Sequence, residues 1–572
     1  MTVGDACPAA GIAPDVDLPA AARALVGDLL TMPWGQVSPS VYETGRLVTF
    51  APWLTGHRRR LKYLVAAQRP DGGWGGPGGY ALVPTLSAVE AVLASLAPAS
   101  AGSGTAEAPD PESLLRAAER GLRFLACTLP AIEACAVPDM PALDLIVTSL
   151  TDAINDRLAR TAPPGLRFAG RLSPPAGVDG ARLAMVQAAV RGGAGLPAKI
   201  LHALEVAGSA ARGHPTIRPE ESGTVGASAA ATAAWLDVPG ENGAWTGSRR
   251  RAERFLERVV ADHDGLAPCG IPVTVFERSW VLSGLARAGL EVDVPPRIVA
   301  DLAAALGPHG AAAAGGLPVD ADTTSVTLHA LGLLGVQRAP DALWEFETDT
   351  HFCTWPGEQG FSVSVNAHVL DAFGQYLRAR RASRKACTPA PSETPGAAAD
   401  GPADRYRAAV LKLTDLLCDR QRADGSWVDR WHASPYYATA CCALALHDFG
   451  GQAAGEAVRR ARDWVVTTQR PDGSWGRWEG SAEETAYGLQ ILALTRSAAR
   501  SARPDVQESF TRGYEFLHRV ARNTLENGAA GPPLWHDKDL YYPAAIVRAS
   551  VVSALHLAAT SRTAPDQTED RQ

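Results

Sequence analysis

Apolar side chains recur at intervals of three and four along most of this chain, as in LLRAAERGLRFLACTL (114–129) and RYRAAVLKLTDLLCD (405–419). That spacing lays one apolar stripe along a helix, and runs of alternating β-branched residues are nearly lacking. The pattern predicts an all-α protein. Its 55 glycines and 42 prolines are many for a helical chain, and they imply short helices joined by numerous tight turns. A toroid of helical hairpins satisfies both signals. Two stretches, 97–113 and 385–405, drop the periodicity and fill with Ala, Pro, Gly and Ser; they read as loops or linkers.

Three near-identical heptads each follow an amphipathic helix: QRPDGGW (68–74), QRADGSW (421–427) and QRPDGSW (469–475). Asp-Gly supplies a turn, the glutamine amide can bond exposed backbone groups, and the tryptophan can lie over the preceding helix. The heptads are therefore expected to staple neighbouring helices rather than to bind a ligand.

At 572 residues the chain exceeds what one ordinary core holds, so two domains are expected. Hydrophobic residues make up 46% and charged residues 20%, a globular balance. No run approaches the length of uninterrupted apolar sequence that a transmembrane helix requires, so no membrane span is expected. Residues 1–19 lack a basic region followed by an apolar stretch and read as a disordered leader, with a cytoplasmic location expected. Nine cysteines without a Cys-x-x-Cys pair suit reduced thiols. A net charge of −7 gives no electrostatic footprint for nucleic acid.

The candidate chemistry lies in GGLPVDADTTSVTLHALGLL (315–334), where Asp320 and Asp322 stand one residue apart at the mouth of an apolar helix-like run. Taken alone, an aspartate before Thr and Ser is an ordinary helix cap. Buried together, two carboxyls have a second use, because loss of water and mutual repulsion let the pair keep a proton at neutral pH. Thr323, Thr324 and the helix N-terminus could then stabilise the carboxylate left behind.

The heptads and the Asp-x-Asp motif occur with MPWGQVSPSVYETGRLV (32–48), LPAKILHALE (196–205), GASAAATAAWL (226–236), PVTVFERSW (272–280), SVSVNAHVL (362–370) and LWHDKDLYYP (534–543). In combination these resemble the class II terpene cyclases, the group containing squalene-hopene cyclases and copalyl diphosphate synthases. The resemblance implies two α-barrel (α/α toroid) domains, β and γ, with γ inserted after the first helix of β and the active site between them. Mapped onto this chain, 20–50 is the first helix of β and 51–265 is γ. The rest of β is 266–556 with its linker at 385–405, and 557–572 is a disordered tail.

The same resemblance assigns roles. Asp322 matches the general acid that protonates an alkene, with Asp320 as its partner. Thr323 replaces a third aspartate, as in the Asp-x-Asp-Thr-Thr variant of bacterial drimenyl diphosphate synthases. Asn366 matches an asparagine that hydrogen-bonds the catalytic carboxyl. His202 matches a histidine that helps remove the final proton, and Cys269 stands where its partner asparagine would be. Trp280, Trp355, Phe361 and Tyr541 are candidates for stabilising cations with their ring faces. Lys538 and Lys199 are candidates for the diphosphate, with Mg²⁺ implied alongside it, whereas the HRRR run at 57–60 reads as solvated surface.

The chain contains no two adjacent aspartates, so the metal cluster of diphosphate-ionising cyclases is absent and diphosphate should remain in the product. A linear prenyl diphosphate is the implied substrate. Thr323 favours farnesyl diphosphate giving drimenyl diphosphate; the alternative is geranylgeranyl diphosphate giving a copalyl-type product. A squalene-type cyclase fits less well, because such enzymes usually carry more heptads and a membrane-binding apolar segment. Two readings from other classes remain: a zinc enzyme like the protein prenyltransferases, using Cys353 near His351, and a non-catalytic helical scaffold. Neither the metal ligands nor the oligomeric state can be read from the pattern.

Overall fold

The helices divide into two kinds by burial. Pro504–Glu526 hides a single stripe, Val506, Phe510, Gly513, Leu517 and Ala521, at spacings of three and four. Ala321–Leu333 is buried at every position from Thr323 to Leu331, and Ala482–Leu494 at every position from Glu483 to Leu489. A helix hidden all round must be enclosed by others, whereas a striped one lies outside them.

The inner helices of the computed structural model close into two rings. It describes residues 16–97, 109–132, 137–178, 180–236, 247–358, 360–386, 401–495, 503–526 and 531–563. Most of the expected leader and tail, and the centres of both expected linkers, lie outside these residues. One ring runs through Thr274–Arg287, Ala321–Leu333, Val363–Ala386, Pro435–Phe449, Ala482–Leu494 and Ala544–Thr563, and the last helix packs back on the first. The other runs through Val41–Phe50, Leu82–Ser95, Leu143–Thr161, the 3-10 stretch Leu204–Ala211 and Ala229–Trp235, and closes in the same way.

The helix Leu18–Thr31 packs on Ala544–Thr563 and Thr274–Arg287, and so joins the first ring. Val41–Phe50, grouped with it in the sequence reading of 20–50, instead packs on Leu82–Ser95 and Ala229–Trp235. Its residues from Val41 to Val48 are all buried, a pattern only an inner position satisfies, so the chain crosses between rings before residue 41. Two apolar helical stretches, Gly78–Ser95 and Ala544–Ser561, match a membrane span in length and composition, yet 72% and 56% of them is buried inside the protein. Both are core elements of the rings.

All three heptads fold alike. Gln68, Gln421 and Gln469 each donate to the glycine carbonyl four residues on and to a carbonyl of the next outer helix, at 2.8–3.0 Å. Trp74, Trp427 and Trp475 are fully buried and donate to Leu64, Leu417 and Val465 carbonyls. The glycine has a positive φ in each, 95°, 96° and 90°, and a Cβ there would strike the carbonyl of Arg120, Arg460 or Arg512. These are the expected staples.

Two short hairpins complete the frame of the site. Ala311–Ala312 pairs antiparallel with Val319–Asp320, setting Ala311 opposite Asp320. Trp535–His536 pairs with Leu540–Tyr541, and its turn projects residues 537–539 toward the second ring.

Candidate active site

A cavity of about 360 Å³ lies between the rings, within the range of small-molecule sites. The first ring contributes first-turn residues, among them Phe276, Asp322 and Tyr437, the segment leading into Leu204–Ala211 of the second ring contributes Lys199 and His202, and the 535–541 hairpin contributes Asp537 and Tyr541.

The two aspartates have different tasks. Asp320 caps the helix Ala321–Leu333, its Oδ1 accepting the Thr323 N–H at 2.6 Å. Thr324 Oγ1 donates to the Asp320 carbonyl at 2.6 Å and accepts from Ala311 N–H at 2.9 Å. Both threonines therefore serve the cap and the strand. Burial pushes the Asp320 carboxyl up to about 7; the Thr323 N–H opposes this and the Asp322 charge adds to it.

This shift gives a pH test. Between about pH 4 and 7 the unfolded chain ionises this carboxyl and the folded chain does not. Stability therefore falls as pH rises through that window, by about 4 kcal/mol, and changes little outside it. Asp320→Asn keeps a capping side chain and removes the titration. Thermal melts should place the variant above the parent at pH 8, with the two converging towards pH 4. Parallel curves at both pH values would refute the assignment.

Asp322 faces His368, with Oδ1 and Nδ1 2.6 Å apart. Burial works against a charged imidazole there, but the Asp322 carboxylate outweighs it and holds His368 well above its ordinary value. Nδ1–H therefore donates to Oδ1. Behind His368 is a second cavity of about 100 Å³ on the axis of the first ring, lined by polar groups that include Arg287, His329 and Asp371. The expected carboxyl partner, Asn366, lies elsewhere. Its amide accepts from Phe352 N–H and donates to the Phe352 and Ser362 carbonyls. Two residues apart on a helix is about 200° of rotation, so Asn366 and His368 cannot face the same group. His368 was within the SVSVNAHVL segment, and only the helical face distinguishes it.

The aromatic candidates separate. Trp355 and Tyr541 line the main cavity. Trp280 lies on the second cavity, donating Nε1–H to the Tyr437 hydroxyl at 3.1 Å, its ring 5.5 Å from His368. Phe361 is off the main wall, with the Arg420 guanidinium 4.4 Å over its ring. The sequence reading overlooked Phe276, Tyr437, Trp431 and Trp535, which all line the main cavity. Phe276 stands one helical turn before Trp280 and packs against it with the rings tilted by 41° and their centroids 4.3 Å apart, so helical period was the available signal.

The basic candidates separate too. Lys538 is fully buried, its Nζ bonded to Glu43 at 2.5 Å, Glu205 at 2.9 Å, Ser228 at 2.8 Å and the His202 carbonyl at 2.9 Å. Burial opposes its charge, but Glu205 and Glu43 hold it above its ordinary value. With every donor used inside the protein, Lys538 does not bind diphosphate. Lys199 does line the cavity, 2.7 Å from Glu358 and 4.3 Å over the Trp355 ring. Arg182 and Arg430, not anticipated, stand on the same wall beside Asp144 and Asp139.

His202 is on the wall, its Nδ1 2.6 Å from the Gly226 carbonyl and its Nε2 2.7 Å from Asp537 Oδ1. Cys269 is not a water site: it is buried and directs its thiol at the Asp539 carbonyl, 3.9 Å away, leaving Gly270 on the wall. The zinc alternative finds no ligand set. The Cys353 thiol points at the Phe346 and Trp355 carbonyls, His351 Nδ1 bonds threonine hydroxyls, and no cluster of three ligating side chains occurs among the described residues.

Comparison with known proteins agrees with this geometry. The Squalene-hopene cyclase C-terminal domain family matches residues 399–522. Ent-copalyl diphosphate synthase of Streptomyces sp. (strain KO-3988) is 40% identical over 555 residues, covering 97% of this chain and 98% of that protein. Labda-7,13-dienyl diphosphate synthase of Streptomyces clavuligerus is 37% identical, covering 91% and 90% respectively. The structure of ent-copalyl diphosphate synthase from Streptomyces platensis superposes with a TM-score of 0.84 at 41% identity, covering 95% of this chain and 100% of that one. With two closed helical rings, a cavity between them and similarity to these relatives along nearly its whole length, the chain belongs to the class II terpene cyclases.

Proposed function

We propose that the protein cyclises geranylgeranyl diphosphate to a bicyclic, copalyl-type diphosphate, with Asp322 as proton donor. The carrying observation is the 2.6 Å contact between Asp322 Oδ1 and His368 Nδ1. It occupies one carboxyl oxygen and leaves Oδ2 as the one that can take up a proton from water before the substrate binds and then pass it to the substrate. The alkene π electrons take that proton, a C–H bond forms, and internal alkenes close the rings by attacking the cation in turn. The His368 imidazolium and the N-terminus of Ala321–Leu333 stabilise the carboxylate that results. Faces of Phe276, Tyr437 and Trp535 can shelter the cation without supplying a nucleophile.

Farnesyl diphosphate is the weaker choice. It rests on Thr323 alone, whose N–H donates to the capping Asp320 carboxyl and does not measure chain length. The relatives that align along nearly the whole chain are named for copalyl and labdadienyl products, which favours the longer substrate.

At the cavity mouth Lys199, Arg182 and Arg430 would take the diphosphate, whose C–O bond stays intact. Glu358 Oε2 there is buried without a partner, which fits Mg²⁺, an ion that takes one or two carboxylates and otherwise phosphate and water. Glu358 and Asp139 would hold it, and when bound it would neutralise the phosphate charge.

The test is incubation of the purified protein with each prenyl diphosphate, with and without Mg²⁺, followed by phosphatase and mass spectrometry. Geranylgeranyl diphosphate should give a bicyclic alcohol, with kcat/KM about tenfold or more above that for the shorter chain, one hydrophobic increment's worth of discrimination. Mg²⁺ removal should raise KM. Preference for farnesyl diphosphate would restore the drimenyl reading, and no cyclised product from either would reject both.

A further inference from the structure

The cyclisation must end by losing a proton, and the residue matched to that task is engaged elsewhere. A carbonyl oxygen only accepts, so His202 Nδ1, 2.6 Å from the Gly226 carbonyl, carries hydrogen. Nε2 faces the Asp537 carboxylate at 2.7 Å. Burial opposes charge on both, yet Asp537 holds His202 above its ordinary value and His202 holds Asp537 below the usual carboxylate range. The pair is imidazolium and carboxylate, so both ring nitrogens are donors. An imidazolium has no lone pair to take a proton.

We propose that Asp537 is the group that accepts the terminal proton, with His202 as its positioning residue. This rests on the protonation-initiated reading above. Asp537 lies on the cavity wall with Asp322, and the charges of both act on the Tyr541 hydroxyl nearby. Its Oδ1 is occupied, accepting from His202 and from the Lys538 N–H at 2.8 Å. Oδ2 takes no hydrogen bond from the described residues and borders Gly270, where a Cβ would come within 3.0 Å of it. Glycine on that wall leaves the second oxygen open.

The other wall groups are worse placed. Asp139 and Glu358 pair with Arg430 or Lys199, and Asp144 pairs with Arg182. His536 donates Nδ1–H to the Arg430 carbonyl, and its unpartnered Nε2 is enclosed by protein rather than open to the cavity. Pairing also suits the task. Two donors on Oδ1 blunt the nucleophilicity of a carboxylate that must meet a carbocation without forming an ester. In the final step a C–H bond beside the cation breaks and its electrons become the product alkene. The proton passes to Asp537 Oδ2, and the neutral carboxyl returns it to water when product leaves.

The experiment compares Asp537→Asn and His202→Gln with the parent, on geranylgeranyl diphosphate, by kinetics and by mass spectrometry after phosphatase. Asn keeps an acceptor for the Lys538 N–H and cannot take the proton. In Asp537→Asn, kcat should fall about 100-fold, the scale of a lost general base, with KM unchanged. Part of the product should become a bicyclic diphosphate heavier by one water, because a cation with no base is captured by solvent. His202→Gln should still yield mainly the parent alkene. A merely structural Asp537 would lower activity through the melting temperature and leave the product unchanged. The proposal is overturned if Asp537→Asn makes only the parent alkene, or if His202→Gln alone diverts to the hydrated product. Should Asp537→Asn not fold, Asp537→Glu decides: a shifted double bond or altered rate supports the assignment, and an unchanged product and rate overturns it. Failure of the parent protein to cyclise the substrate would instead reject the reading on which this one rests.

Discussion

Asp322→Asn should abolish cyclisation while leaving the fold intact. The amide has the shape of the carboxyl, and its oxygen can still accept the His368 Nδ1–H that now lies 2.6 Å from Oδ1. What it lacks is a proton acidic enough for an isolated alkene. General acids contribute about 100- to 10,000-fold in ordinary proton transfers. Here the loss should lie at the upper end, at least about 1,000-fold in kcat, because water is a far poorer acid than a carboxyl and Asp320 is committed to the helix cap. KM should stay within about twofold, since in the proposed reading the diphosphate is held away from Asp322 by Lys199, Arg182 and Arg430, and binding there is the same in ground and transition states. Product analysis after phosphatase, with thermal melts as a control for folding, makes the measurement. A variant that cyclises within tenfold of the parent rate would remove Asp322 from the mechanism.

Lys538→Met should cost stability rather than substrate affinity. Methionine roughly fills the volume of the lysine stem, but it leaves Glu43 and Glu205 facing each other without the ammonium that now touches both. Removing one partner of a buried ion pair costs about 3–5 kcal/mol, because the remaining charge is uncompensated in a dry site. Tyr42, whose hydroxyl donates to Glu205 Oε1 at 2.6 Å, cannot replace the cation. Burial already raises Glu43 above the usual carboxylate range, with Lys538 working against that rise. Without the lysine, protonation of Glu43 relieves the strain at low pH, so the loss should be larger at pH 8 than at pH 5. Denaturant titrations at both pH values test this. Unchanged stability with a raised KM for the prenyl diphosphate would return Lys538 to the diphosphate site.

The parts of the site that were legible in the sequence are those built within a helical turn or two. Asp320 and Asp322 start the helix Ala321–Leu333, where the first aspartate caps it and the second faces the cavity. The heptads were legible for the same reason. Each glutamine bonds a carbonyl four residues away and each tryptophan one ten residues back, so nearly the whole motif is local.

Where a partner comes from a distant part of the chain, spacing carried no information. Asn366 and His368 share a helix and a motif, and only the packing of Val363–Ala386 against Ala321–Leu333 selects which of them meets Asp322. Lys538 reads as a diphosphate ligand until residues 43 and 205 are brought around it, and the spacing around His202 does not announce that residue 537 faces its second nitrogen.

By itself, then, the sequence determined the helices, their stapling and the paired aspartates at a helix start, and its resemblance to a family supplied the two-ring architecture. The tertiary structure alone decided which side chains open onto the cavity and which spend their charge inside the protein. Helical period and turn chemistry act over a few residues and are written in local order. Burial and electrostatic pairing depend on what the folded chain places within a few ångströms, whatever the distance along the sequence.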